Sequence, residues 1–316
     1  MSSDAEKRSS VQQDPEPEAE VHPDYNDHES DLTLVSGDGR HFRVHSLIMK
    51  LASDVFKTMI GVAPVQGSSE ESISVQENGD IIKDLLDVIY PNKLPFRYAS
   101  PTFEHFRQVC YAAEKYEMPG VLQVMQLFLR TMIENVPPLL AFALAAHYEW
   151  PEELRLISTA TLKLDLYCPQ SIEDLHFIPT HWLLKLMELH RSRRKLLVAS
   201  LDWKNSQVTM SPYSIAQSSV TLDCIYCNDI SNHFSASQWG VLKLQISEEM
   251  ERKSDGSSIR EESFWLRAEF EDLWHMTCDE CHETDETYSD STSVIDQHKL
   301  KTQVIRVLDS LPKTIP

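Results

Sequence analysis

No run of about 18 apolar residues occurs in this sequence, so nothing in it reads as a membrane span. The start, MSSDAEKRSSVQQ, has neither a basic stretch leading into an apolar core nor an Arg-rich amphipathic pattern, and an intracellular protein, cytoplasmic or nuclear, is the default expectation. Basic residues are outnumbered: 29 Lys and Arg face 49 Asp and Glu, a formal net charge of -20. Phosphate binding draws on clustered Lys and Arg, so nucleic acid is not an expected partner. No GxSxG, HExxH, EF-hand spacing or phosphate-cradling glycine loop occurs, and the 13 histidines are scattered, so the chain does not read as an enzyme. Internal repeats are absent as well.

What is present suggests roughly two domains: 316 residues, of which 41% are hydrophobic, can bury a sizeable core. The acidity is uneven. Residues 1–30 hold two basic and nine acidic residues, and residues 248–290 hold four and fifteen, which accounts for nearly all of the excess. Residues 1–30 have almost no large apolar side chain before Tyr25 and are expected to form a disordered acidic tail.

From Asp31 to Ile60 the local signals agree. Leu32 and Leu34 alternate with Thr33, Asp38-Gly39 supplies a tight turn, and Phe42 and Val44 alternate with Arg43, which predicts a hairpin. Apolar spacing then turns helical at Ile48, Ala52, Val55 and Met59, with Ser53 able to cap a second short helix. Ser72–Val75 reads as a short strand, and Asp80 as the cap of a helix with Ile82, Leu85, Leu86 and Ile89 inside. Two further helices follow, one opening at Ser100-Pro101 and one after Pro119-Gly120. From Pro137 to about Asp202 all signals are helical, punctuated by Pro151, Pro169 and Pro179.

The order Asp31, Phe42, Val44-His45, Ser53 and Phe56, followed by Ile89-Tyr90 and by VCYAAEKYEMPGVLQVMQLFL at 109–129, resembles the BTB/POZ domain over residues 31–133. The resemblance implies an α+β fold, a small sheet flanked by helical hairpins. Residues 134–203 resemble the helical extension of a group of fungal BTB proteins through Ala143, Ala145, Tyr148, Trp150 and Leu189-His190-Arg191. What the resemblance implies is a protein-interaction module that homodimerises and, in many members, serves as an adaptor for cullin-based ubiquitin ligases or as a transcriptional scaffold. It places Asp31 and His45 as structural polar residues of the domain core, and Met59 and Ile60 are the candidate partner surface. With a disordered acidic tail expected before Asp31, a strand-exchanged dimer is not the expectation, and a monomer or a weaker dimer stays open.

Residues 204–316 are expected to form a separate small module. Cys224-x2-Cys227 and Cys278-x2-Cys281 supply four soft thiolates in two knuckles, a natural set for tetrahedral structural zinc. His275 and His282 flank the second pair and could replace a thiolate. A zinc-containing transcriptional regulator is the alternative function, opposed by the acidity of the region. Cys110 and Cys168 read as packing residues. The run HRSRRK at 190–195 reads as a helix end complementing the helix dipole in preference to an import signal.

Overall fold

The computed structural model describes residues 21–62, 71–91, 93, 96, 101–201, 220, 236–275 and 295–316. Within these, the chain divides into two compact units, residues 1–128 and 129–316.

In the first unit the alternating residues form the expected hairpin, β2 (Leu32–Val35) antiparallel to β3 (His41–Val44). Its register sets Leu32 opposite Val44 and Leu34 opposite Phe42, so all four side chains share one face and all four are buried. Removing Phe42 alone from water is worth about 1.5–3 kcal/mol. Gly39 turns the chain at φ 81°, a left-handed conformation open to glycine without strain. The Ser36 hydroxyl ties the turn by donating to Asp38 Oδ1 at 2.6 Å and accepting from the Arg40 N–H at 3.0 Å. β4 (Glu71–Ser74) runs parallel to β2, within a residue of the expected strand.

A fourth strand was not expected. β1 (Val21–Asn26) lies parallel to β3 and completes the order β1-β3-β2-β4. Residues 21–30 therefore depart from the tail reading, for a tertiary reason. Tyr25 is buried, its hydroxyl donates to Asp87 Oδ1 at 2.7 Å, and His22 stacks on Phe42 at 5.1 Å. Pro23 is tolerated because β1 is an edge strand.

Helices α1 (Ser46–Ala52) and α2 (Asp54–Val62) follow β3 and precede β4. Ser53 caps α2, accepting from the Phe56 N–H at 3.0 Å, and its hydroxyl donates to the Tyr116 carbonyl. α3 (Gly79–Ile89) starts one residue before the expected cap: Asn78 holds the cap position, and Asp80 sits in the first turn, paired with Arg40 at 2.6 Å. α4 (Phe103–Lys115) opens on Thr102, which accepts from the His105 N–H, and α5 (Pro119–Met132) has proline first.

Prolines also start three helices of the second unit: α6 (Pro138–His147), α7 (Pro151–Thr161) and α8 (Pro169–Leu175). α6 is apolar on nearly every face and is accordingly buried from Ala141 to Ala146. α9 (Thr180–Ser200) and α10 (Ala236–Arg252) pack together, followed by the one-turn helices α11 (Ser257–Arg260), α12 (Glu262–Trp265) and α13 (Glu271–Trp274) and by α14 (Gln297–Ser310). In α14 and just after it, Leu300, Val304, Val307 and Leu311, at helical spacing, are buried.

A border at residue 203 does not separate two cores. Leu197 and Leu201 at the end of α9 belong to one buried cluster with Leu242, Ile246, Phe264, Trp265 and Leu308. The indole N–H of Trp239 donates to the Leu201 carbonyl at 2.9 Å, and that of Trp265 to the Ile259 carbonyl at 2.7 Å. Gly256, at φ 73°, lies so close to Leu308 that a Cβ there would stand 2.7 Å from the leucine Cδ2.

Candidate protein-interaction surface

The start of α1 is fixed by Asp31. One carboxylate oxygen accepts from the Ser46 N–H at 2.7 Å and the other from the Ser46 hydroxyl at 2.6 Å, which satisfies a free donor at a helix N-terminus. Partial desolvation pushes the Asp31 carboxyl up, but the two Ser46 bonds outweigh it and hold the group below its ordinary 3.8. Asp31 is exposed, so it clamps α1 from the surface and is not an interior residue. His45 is likewise only half-buried: its N–H donates to the Tyr90 hydroxyl at 2.7 Å, and its ring Nδ1 lies 3.2 Å from the same oxygen.

The clamp orients a helix with an unburied apolar face. Leu47 is 66% exposed and Leu51 is 80% exposed, four residues apart and so on one side of α1, while Met49 faces the core. The sequence reading missed these leucines. Their signal was an apolar residue out of phase with the inward positions of a short helix. At the end of α2, Met59 is 39% exposed, whereas Ile60 is 7% exposed and packs inward, which removes Ile60 from any partner surface.

β1 is tied to its own chain by side chains that follow it in sequence. Asp87, itself buried, accepts from Tyr25 and from Lys83 Nζ at 2.5 Å. Burial pushes the Lys83 ammonium down, and the Asp87 carboxylate more than offsets this; the buried Tyr25 phenol is driven well above its ordinary range. Lys93 donates to the Asp24 carbonyl and stands 4.8 Å over the Tyr25 ring.

A scan against protein-family models matches the BTB/POZ domain to residues 24–133. Residues 24–133 are a BTB/POZ domain. The match begins seven residues ahead of Asp31 and includes Tyr25 of β1, as the sheet does. BTB/POZ domains mediate protein-protein interaction, and on that ground the chain carries an interaction module followed by a helical region. No curated protein matches the chain. No helix among the described residues is long and apolar enough to cross a membrane.

Of the candidate zinc ligands, Cys224, Cys227, Cys278, Cys281 and His282 lie outside the described residues. His275 is exposed, with Nδ1 2.7 Å from the Glu271 carbonyl. Among the described residues no group of three or more His, Cys, Asp and Glu side chains converges as metal ligands would. Cys110 is fully buried, and burial pushes its thiol up to about 12; the Cys168 thiol donates to the Ser171 hydroxyl.

The basic run at 190–195 does not act through the helix dipole, since α9 carries no basic residue in its last turn. Arg193 is buried and donates to three carbonyls, Ser254 at 2.7 Å, Leu311 at 3.3 Å and Pro312 at 2.5 Å. Burial pushes its guanidinium down to about 10, so it remains charged at neutral pH.

Proposed function

We propose that this chain is a non-enzymatic adaptor whose BTB/POZ domain pairs with a second copy of itself through the exposed face of α1. The observation that carries the reading is the pair Leu47 and Leu51, exposed side by side on a helix whose start is clamped by Asp31. A soluble chain gains by covering such a patch, since water removed from apolar area is the main drive of association. Light scattering at micromolar concentration is expected to give twice the chain mass, and Leu47→Asp with Leu51→Asp to halve it. A wild-type mass equal to one chain would remove the dimer.

Exposure of Met59 at the end of α2 within this domain favours a finer reading, a substrate adaptor for a cullin-type ubiquitin ligase. Affinity purification from native cells should then recover a cullin with the wild type and lose it with Met59→Asp. The spacing of Cys224, Cys227, Cys278 and Cys281 supports structural zinc as a separate proposal. Metal analysis should find one zinc per chain, with chelation lowering the melting temperature; metal-free protein that folds unchanged in chelator removes the proposal.

A further inference from the structure

The helical unit carries an open groove of about 440 Å³ that is independent of the BTB/POZ domain. One wall is a single stripe of α9, with Leu184, Met187, Arg191 and Arg194 spaced at helical intervals. Tyr167 and, from α10, Met250 and Glu251 also line the groove. The stripe is graded. Its N-terminal half is apolar and open to water, with Leu184 62% and Met187 36% exposed, and Tyr167 in the same groove is 60% exposed. Its C-terminal half is cationic.

The two arginines differ in what they have to offer. Arg194 is paired with Glu251 at 2.9 Å. Arg191 is exposed and has no hydrogen-bond or ion-pair partner among the described residues. In a chain of formal charge -20, an unpaired cation beside an exposed apolar stretch of the groove is the point where a carboxylate is attracted. A polyanion fits less well: Glu188 and Glu251 line the same groove and would face its additional phosphates.

We propose that this groove binds an extended peptide of a partner protein that presents a large apolar side chain followed, three residues later, by a carboxylate. The spacing follows from the helix. Leu184 and Arg191 are two turns apart, about 10 Å along the axis, and about three residues of extended chain cover that distance. The apolar side chain seats among Leu184, Met187 and Tyr167, and the carboxylate pairs with Arg191.

The test uses the full chain on an array of acetylated octapeptides that fix Leu or Phe and place Glu three residues later, with the other positions randomised. Control arrays carry Gln or Lys in place of Glu, or shorten the spacing to one residue. Binding is expected to concentrate on the Glu array and to fall at least tenfold in Leu184→Asp and in Arg191→Glu. Both residues are exposed, so both variants should keep the wild-type melting temperature. Arg191→Glu should also gain binding to the Lys array, a reversal that a merely destabilised protein cannot produce. Equal signal on the Gln array, no signal on any array, or undiminished binding by the double variant overturns the proposal. So does Arg191-dependent binding of a DNA duplex or of phosphatidylserine vesicles that is tighter than that of every peptide.

Discussion

Asp31 illustrates how a single residue was read by type and placed by geometry. The BTB/POZ resemblance marked it as a structural polar residue of the domain core, whereas its carboxylate works from solvent on Ser46. Replacing it with Ala removes both bonds at the start of α1, and unfolding in urea should show a loss of about 1 kcal/mol, the size of a helix-cap deletion. The pH dependence has a definite sign. Because the folded carboxyl lies below its ordinary 3.8, the clamp contributes fully above that value and is lost as pH falls through the folded one. The gap between wild type and Asp31→Ala should therefore close below about pH 4. Ile60 makes the complementary point: as the next residue after exposed Met59 it could be assigned to either face, and only the packed helix turns it inward.

At the scale of elements, local chemistry was a sound guide wherever neighbours in sequence supply the stabilisation. The hairpin of β2 and β3 needs only alternation and an Asp-Gly turn, and the helices that begin at Pro138, Pro151 and Pro169 need only a residue preset for the first turn. β1 is the opposite case. Val21–Asn26 contains Pro23, Asp24 and Asn26, all poor strand formers, and it is held by a bond from Tyr25 to a residue 62 positions away. Tyr25→Phe keeps the ring and deletes the donor, leaving buried Asp87 with Lys83. A loss of about 1–3 kcal/mol is expected from such an unsatisfied group. It should be accompanied by faster proteolytic cleavage within residues 21–30, and unchanged cleavage would mean that ring packing alone holds the strand.

For the molecule as a whole, the deciding residue of the second unit is Arg193. It joins the segment after α10, the end of α14 and the residues that follow, through the carbonyls of Ser254, Leu311 and Pro312. Nearby, the Ile315 N–H donates to the Ser158 hydroxyl, and the Thr159 hydroxyl donates to the Lys313 carbonyl, so the last residues lie against α7. Arg193→Met fills similar volume without donors and should cost at least about 2 kcal/mol, since two buried acceptors and a half-buried one lose a partner. Hydrogen exchange at Ile315 should speed up in the variant. An unchanged rate would place the hold of this segment in apolar contact alone. Alternation, turn chemistry and helix-interrupting prolines are properties of neighbouring residues, and they sufficed to place the β2-β3 hairpin and the run of helices that begins near Pro138; the α+β class came with the BTB/POZ resemblance, carried by the order and spacing of Asp31, Phe42, Val44-His45, Ser53 and Phe56. The fourth strand, the shared core of α9 and α14, the exposure of Leu47 and Leu51 and the burial of Arg193 were decided only in three dimensions. Each depends on partners tens of residues away or on which face of a helix is covered, and a one-dimensional pattern carries neither.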